Sequence, residues 1–343
     1  MDDMLGYIRK YPEMVLDAIE ATKKSWLPSL KFDRLLVCGM GGSAVGGDIA
    51  ADVMRNYGIP LQIEISRRYA LPPYVRGDTL VMFSSYSGET EETLSQFAEA
   101  RRRGLRTMIV SSGGRLKGWA VRFGVPFVEL PAGFKPRATL PYSLFTILEY
   151  LRECGKLDLT ADIDETVKVL TDLREDRQKD SEMTALAGLM AGCRISVYAG
   201  EAFEAAARRV KNQINENSKL PASWDVFPEM DHNEIVGYED NDVNTGNYVL
   251  LLRDADEHPA VRERIEATKE LIRGKVKGVV ELWSLGRSPL AKEMSLLFLA
   301  DLLTYYLAKQ EGKSPDKTAN IDALKAVLKE KLNTQDKLEN GLV

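Results

Sequence analysis

The densest group of reactive side chains in this 343-residue sequence is SSYSGETEET, residues 84–93. Ser84, Ser85, Ser87, Thr90 and Thr93 place five hydroxyls within ten residues, and Gly88 permits a sharp turn into a helix that starts with glutamates. Hydroxyls combined with the free N–H groups of a helix start make a neutral cradle for a phosphomonoester. Capping alone needs one hydroxyl. A second loop, CGMGGSAVGGD (38–48), closes an apolar run and opens a helix near Ser43. Its glycines let the backbone approach an anion closely. No lysine sits in the 84–93 loop and GxxxxGK[ST] is absent, which disfavours a P-loop nucleotide hydrolase. Gly39, Gly41 and Ala44 do fit a G-x-G-x-x-A dinucleotide fingerprint, with Glu64 as the ribose-binding acid. In such a nicotinamide dehydrogenase the hydroxyl-rich loop has no job.

Three more positions could carry acid–base or electrostatic chemistry. Glu216 lies in Asn215-Glu216-Asn217, at the end of a helix whose Phe203, Ala206, Ala207, Val210 and Ile214 form one apolar stripe. A carboxylate facing the negative end of a helix dipole is a stronger base. From position alone, a solvated glutamate is the simpler reading. His232 sits in a polar loop, Met230-Asp231-His232-Asn233-Glu234, and is one of only two histidines, so acid–base work competes with a structural role. His258, before Pro259, reads as a helix start. Arg137, beside Pro136 and just after the fifth strand, is either a surface arginine or a fixed guanidinium that steadies a developing oxyanion.

The elements that would position these groups are legible. RLLVCG (34–39), LQIEI (61–65), TLVMFSS (79–85), RTMIVS (106–111) and PFVEL (126–130) are short apolar runs, with helices expected to about Tyr57 and from about Glu89 to Arg103. Such alternation predicts a parallel sheet covered on both faces. An N-terminal amphipathic helix with a break is expected from Met14, Val15, Ala18 and Ile19, with Trp26 extending its face. Another helix runs through Leu151, and a charged helical connection follows to about Gln178. RISVYAG (194–200) restarts the alternation, followed by the helix carrying Glu216, YVLLLRD (248–254), a helix over 259–272, GVVELW (278–283), and helices over roughly 289–311 and 318–332. RLLVCGMGGSA and RISVYAGEAFEA read as one strand–glycine–helix unit used twice, which predicts two α/β sandwiches, residues 1–155 and 156–343.

Composition narrows the class. Apolar residues make up 44% and charged residues 28%, a globular balance rather than a disordered one. The net charge of −5 argues against sequence-independent nucleic-acid binding, and the cluster Arg101, Arg102, Arg103 and Arg106 reads as a solvated helix end. No apolar run approaches the ~18–20 residues of a membrane span, and the mixed-charge N-terminus lacks a secretory h-region. Cys38, Cys154 and Cys193 are few, distant and odd in number, so neither disulfides nor a structural zinc site is expected, and a reducing cytoplasm is the expected setting. With two histidines, a His-based metal site is disfavoured.

GMGGSAVGGD and SSYSGETEET together resemble the loops of the sugar-isomerase (SIS) fold. PRATLPYS (136–143), NENSKLPA (215–222) and PEMDHNEIVGY (228–238) narrow the resemblance to the bifunctional phosphoglucose/phosphomannose isomerases, over nearly the whole chain and in the right order. The resemblance implies two SIS-type doubly wound αβα sandwiches with parallel sheets, and a homodimer with shared active sites. It also implies isomerisation of glucose 6-phosphate and mannose 6-phosphate with fructose 6-phosphate, with no metal or organic cofactor. By the same resemblance Gly42, Ser43, Ser85, Ser87 and Thr90 hold the phosphate, Arg137 steadies a cis-enediolate, and Glu216 is the base. His232, from the neighbouring subunit, and Lys325 open the sugar ring, and Thr318 leaves room for C2 epimers. Thr318 and Lys325 are seven apart and share a helix face, although Lys317, Lys329 and Lys331 compete for the lysine's register. The alternatives are an amino-sugar phosphate isomerase on the same fold, or a non-catalytic phosphosugar-binding module.

Overall fold

A computed structural model describes residues 3–25, 27–239 and 242–341. Trp26 therefore lies outside the described residues. Along the chain run α1 (Met4–Arg9), α2 (Tyr11–Lys24), β1 (Arg34–Cys38), α3 (Gly41–Asn56), β2 (Gln62–Ser66), β3 (Thr79–Ser84), α4 (Glu91–Arg102), β4 (Arg106–Ser111), α5 (Gly114–Phe123), β5 (Phe127–Glu129) and α6 (Leu140–Glu153). There follow α7 (Thr160–Glu175), α8 (Arg177–Met190), β6 (Arg194–Gly200), α9 (Glu204–Gln213), β7 (Ala222–Phe227), β8 (Asn247–Arg253), α10 (Pro259–Ile272), β9 (Gly278–Trp283), α11 (Pro289–Gln310), α12 (Ala319–Leu332) and α13 (Thr334–Gly341).

The chain divides into two compact units. The first comprises Glu13–Leu159 and Thr318–Val343. Its five-stranded sheet is parallel, in the order β2-β1-β3-β4-β5. Every residue of β3 is buried, as expected of a strand covered on both faces. On one face Phe83 meets Phe97 edge to face and Phe97 stacks on Trp119 within an apolar cluster.

The second unit comprises Met1–Pro12 and Thr160–Lys317. Its sheet is also parallel, in the order β7-β6-β8-β9. The strand order of the first sheet recurs without a fifth member, as the repeated strand–glycine–helix unit implies. Tyr198, Phe227, Met230, Val249, Leu251 and Ile265 form its core on one face.

The expected split at residue 155 needs correcting in two ways. The boundary falls between Leu159 and Thr160, and the chain ends are exchanged between the units. Residues expected to end the second sandwich belong to the first because α13 is tied there. Arg115 bonds Asp336 at 2.5 Å, Trp119 Nε1 donates to Glu339 at 2.7 Å, and Leu338 packs on the Phe97–Trp119 cluster. Tyr11 is held in the second unit by Asp301. Four elements were not anticipated: α5, α8, β7 and α13. The strand β7 is a half-buried edge, where hydrophobic continuity is weakest.

Candidate active site

In an open parallel sheet, ligands bind outside the carboxyl ends of two strands whose connections leave in opposite directions. In the first sheet those strands are β1 and β3, since β2 lies on one side of β1 and β3 on the other. Cys38 pairs with Phe83, so both strands end level and their loops leave side by side. The two hydroxyl- and glycine-rich loops therefore meet at the switch point.

Close packing holds them there. Ser43 Oγ accepts the Tyr86 backbone N–H at 3.0 Å, which ties the start of α3 to the second loop. Ser85 and Thr90 share a hydroxyl–hydroxyl bond of 2.8 Å, and Ser87 Oγ accepts the Glu89 N–H at 3.2 Å. Ser43 and Ser85 are buried, Thr90 is half-buried and Ser87 is exposed. Gly88 has φ +68°, and a Cβ there would lie 1.9 Å from the Gly113 carbonyl oxygen. Only glycine lets the 87–88 turn rest on the 113–114 turn after β4. That third loop, SSGG (111–114), is not among the candidate loops above, although two glycines after a strand are the same signal that marks 39–42.

Gly42 brings Arg137 to the cradle. A Cβ on Gly42 would sit 2.4 Å from the Pro136 carbonyl oxygen and 3.0 Å from Arg137 Cα. One turn further, a Cβ on Gly46 would strike Ser143 Oγ at 2.5 Å. Two glycines four residues apart on α3 thus let α6 and its preceding turn pack against the helix. Arg137 lies in that turn, Pro136–Ala138, and is only 4% exposed, so it is not a surface arginine. Six of the expected residues, Gly42, Ser43, Ser85, Ser87, Thr90 and Arg137, are therefore assembled at one edge of one sheet.

Glu64 does not reach that edge. It lies two residues before the end of β2, opposite Leu36, and accepts the Tyr74 hydroxyl. The acid a dinucleotide site would require is thus occupied elsewhere.

Thr318 and Lys325 belong to the same unit. Thr318 precedes α12 without capping it through its side chain, and its carbonyl accepts from Ile321 N at 2.9 Å. Lys325 is exposed on α12, none of whose described residues is buried. Thr318 is thus the residue just before α12 and Lys325 lies within the helix, while Lys317 lies before both.

Glu216 and His232 belong to the second unit. The helix expected over 201–217 changes geometry. The α-helix α9 stops at Gln213, and Ile214–Ser218 forms a π-helical turn ended by Lys219 with φ +62°. Single π turns within helices are frequent at functional positions. Glu216 is half-buried within it, between buried Ile214 and buried Asn217. His232 is exposed at the end of the turn Glu229–His232. The acids beside it anchor the loop. Asp231 accepts Thr268 Oγ1 at 3.0 Å and pairs with Arg264 at 3.2 Å, and Glu234 accepts the Tyr198 hydroxyl at 2.6 Å. Burial pushes the Glu234 carboxyl above its ordinary range, against the Tyr198 bond that lowers it. His258 caps α10, its Nδ1 accepting from Ala260 N at 3.2 Å, as expected of a helix start.

Residues 179–328 match the family model described as the bacterial phospho-glucose isomerase C-terminal SIS domain. A bifunctional phosphoglucose/phosphomannose isomerase of Caldicellulosiruptor bescii is 36% identical over 95% of this chain and 99% of its own length. One from Aquifex aeolicus is 34% identical over 87% of this chain and 91% of its own. A D-glucosamine-6-phosphate 4-epimerase of Sulfolobus acidocaldarius is 28% identical over 90% of this chain and 92% of its own. Among solved structures, the C-terminal domain of glucosamine-fructose-6-phosphate aminotransferase from Francisella tularensis superposes with a TM-score of 0.70 at 17% identity, covering 92% of this chain and 98% of that one, which shows the shared fold. With identity of 36% to one relative sustained along nearly the entire sequence, the chain belongs to the bifunctional phosphoglucose/phosphomannose isomerase family.

Proposed function

We propose that this protein interconverts glucose 6-phosphate and mannose 6-phosphate with fructose 6-phosphate through a cis-enediolate. The observation that carries the reading is the cradle at the β1/β3 switch point. There Ser43 is bonded to Tyr86 N, and Gly42 packs on the Pro136–Arg137 turn. Its occupant is the 6-phosphate, bound by Gly42 and Ser43 at the start of α3 and by Ser85, Ser87 and Thr90.

With the phosphate anchored, the chemistry concerns C1 and C2. Glu216 takes the C2 proton of the aldose and returns it to C1, while the hydroxyl proton moves between O1 and O2. Atoms balance without an oxidant or a metal. Arg137 offsets the oxyanion charge that develops on the enediolate, and a preorganised donor does so at no reorganisation cost. His232 and Lys325 transfer the protons that open the closed ring, and Thr318 leaves the space in which both C2 epimers react.

The active form in this reading is a homodimer, with His232 supplied to the neighbouring subunit's site. Its support in the chain is α12, which exposes Ile321, Leu324, Val327 and Leu332 and has no buried residue among those described. A second copy covering that stripe accounts for an otherwise unfavourable apolar surface. The three cysteines are unpaired, consistent with work in the cytoplasm.

The test is conversion of fructose 6-phosphate to each aldose phosphate with EDTA present, beside Glu216→Gln and a light-scattering mass. Turnover to both products, within about tenfold of the rate without EDTA and reduced by ~10² or more in the mutant, is the expected result. No turnover by a folded dimer overturns it. The 28% likeness to a glucosamine-6-phosphate epimerase makes glucosamine 6-phosphate the second substrate to assay. Turnover of that sugar alone selects the amino-sugar reading.

A further inference from the structure

The π turn that carries Glu216 is bolted to α11 at both ends. At the end of α9, Gln213 Nε2 donates to Asp301 Oδ1 at 2.8 Å. Four residues on, Asn217 Nδ2 donates to Thr304 Oγ1 at 3.0 Å, and Ser218 Oγ donates to the Thr304 carbonyl at 2.8 Å. The two α11 residues are three apart and linked, Thr304 Oγ1 donating to the Asp301 carbonyl at 2.9 Å. Gln213, Asn217, Ser218, Asp301 and Thr304 are all at most 1% exposed.

Asp301 is itself fixed. Its Oδ2 accepts Arg209 Nη2 at 2.9 Å and the Tyr11 hydroxyl, so α11, α9 and the N-terminal segment share one buried junction. A π turn is a rare departure from α geometry and persists where its surroundings hold it. Here the surroundings hold residues 213, 217 and 218 and leave 215 and 216 half-buried. Asn215 makes a separate bond, from Nδ2 to the Leu220 carbonyl at 2.7 Å. Glu216 is the member of the turn whose carboxylate is left to meet a substrate.

We propose that Thr304, with Asp301, is a positioning residue for the proton-transfer step: the α11 clamp holds the π turn so that the Glu216 carboxylate is aimed at the reacting carbons. The inference rests on the reading of Glu216 as the base. Thr304 touches no substrate and acts through Asn217 and Ser218. Misplacing a reacting group by about 1 Å can cost ~10²-fold in rate, so losing one bolt costs a substantial part of that.

The test is a mutant cycle on the full chain with fructose 6-phosphate. Thr304→Val keeps the shape and removes the hydroxyl. It should lower kcat about tenfold or more while KM stays within about twofold, since the phosphate cradle is untouched. Thr304→Ser restores the hydroxyl and should recover most of the loss. In a Glu216→Gln background, Thr304→Val should cost nothing further, because the group it positions is already gone. If Thr304→Val fails to fold, Ser218→Ala removes only the Ser218 bond and is read in the same way.

An inactive Glu216→Gln with a Thr304→Val that keeps its kcat overturns the clamp and leaves the base reading standing. Equal losses in Thr304→Val and Thr304→Ser, or additive losses in the double mutant, assign the effect to packing and also overturn it. A fully active Glu216→Gln removes the base reading itself, and the clamp's role in proton transfer with it.

Discussion

The two sheets share a strand order, yet the crevices at their switch points are filled in opposite ways. At β1/β3 the loops offer hydroxyls, glycines and one buried arginine. At β6/β8 the corresponding helix start is Glu201-Ala202-Phe203, and the strand end is Arg253 followed by Asp254, Asp256 and Glu257. Arg253 is 1% exposed and saturated with acids. It bonds Glu257 through Nε at 2.8 Å, bonds Glu266 at 2.9 Å, contacts Glu281, and stacks over Trp283 at 4.7 Å. Lys292 bonds Asp254 at 3.0 Å and also pairs with Asp256. Both cations are thus engaged by a larger number of carboxylates, so neither is free for an anion. A duplicated sandwich can thus keep its topology while one switch point keeps the open hydroxyl-rich loops assigned above to the proposed phosphate site and the other becomes an ion-pair network. The difference lies in side chains at a few loop positions rather than in the strands.

The sharpest way to break the comparison is to exchange expectations between the two buried arginines. Arg253→Met strands several carboxylates, and breaking a buried pair from one side costs about 3–5 kcal/mol. Urea unfolding should show that loss, with KM for fructose 6-phosphate unchanged in the folded protein. A raised KM with intact stability would make the second crevice a ligand site after all. Arg137→Met should do the reverse, lowering kcat by about 10²–10³ as for a lost oxyanion donor, with a smaller change in unfolding midpoint. Steady-state rates beside thermal melts distinguish the two.

Two smaller effects refine the contrast. Ser85→Ala removes one side of the Ser85–Thr90 bond and one phosphate donor. A hydrogen bond to a charged group contributes about 1.5–3 kcal/mol, so KM should rise about tenfold or more, and an unchanged KM would take Ser85 out of the cradle. The smallest effect is in the pH dependence of the second crevice. Its bond to Lys269 holds the Glu266 carboxyl below its usual range, outweighing desolvation, with Arg253 adding to the effect. A carboxyl held low in the folded state adds stability that is full above its unfolded value of about 4.3 and fades as pH falls through the lower folded value. Glu266→Gln should therefore lower stability at neutral pH by under ~1 kcal/mol, since the side chain is 49% exposed and screened. Denaturation midpoints of mutant and wild type should converge below about pH 4. A constant difference from pH 7 to 3 would mean that the charge is not what matters.

Much of this was legible in the linear chain. β4, β6, α10 and β9 were bounded to the residue by apolar runs and by Pro259, and His258 was read correctly as a helix start. The hydroxyl-rich loop and the glycines of 39–42, neighbours at one sheet edge, stood out because both signals are residue types close together in sequence. Glu216 and Arg137 were ambiguous from position, and family resemblance rather than periodicity singled them out. Of the four unanticipated elements, β7 is a half-buried edge without a continuous apolar signature, and α13 is attached through Arg115 and Trp119, more than 200 residues away.

Local chemistry by itself determined the strands, their parallel class and the composition of the hydroxyl- and glycine-rich loops. Backbone propensity, glycine freedom and apolar runs act over a few residues, so the sequence states them directly. Only the tertiary structure decided that Gly42 packs on the Pro136–Arg137 turn, that the chain ends are exchanged between the units, and that α9 finishes as a π turn held by Thr304 and Asp301. Those outcomes depend on which surfaces meet after folding. Distant side chains compete for the same buried hydrogen bonds, and no spacing along the chain records which of them wins.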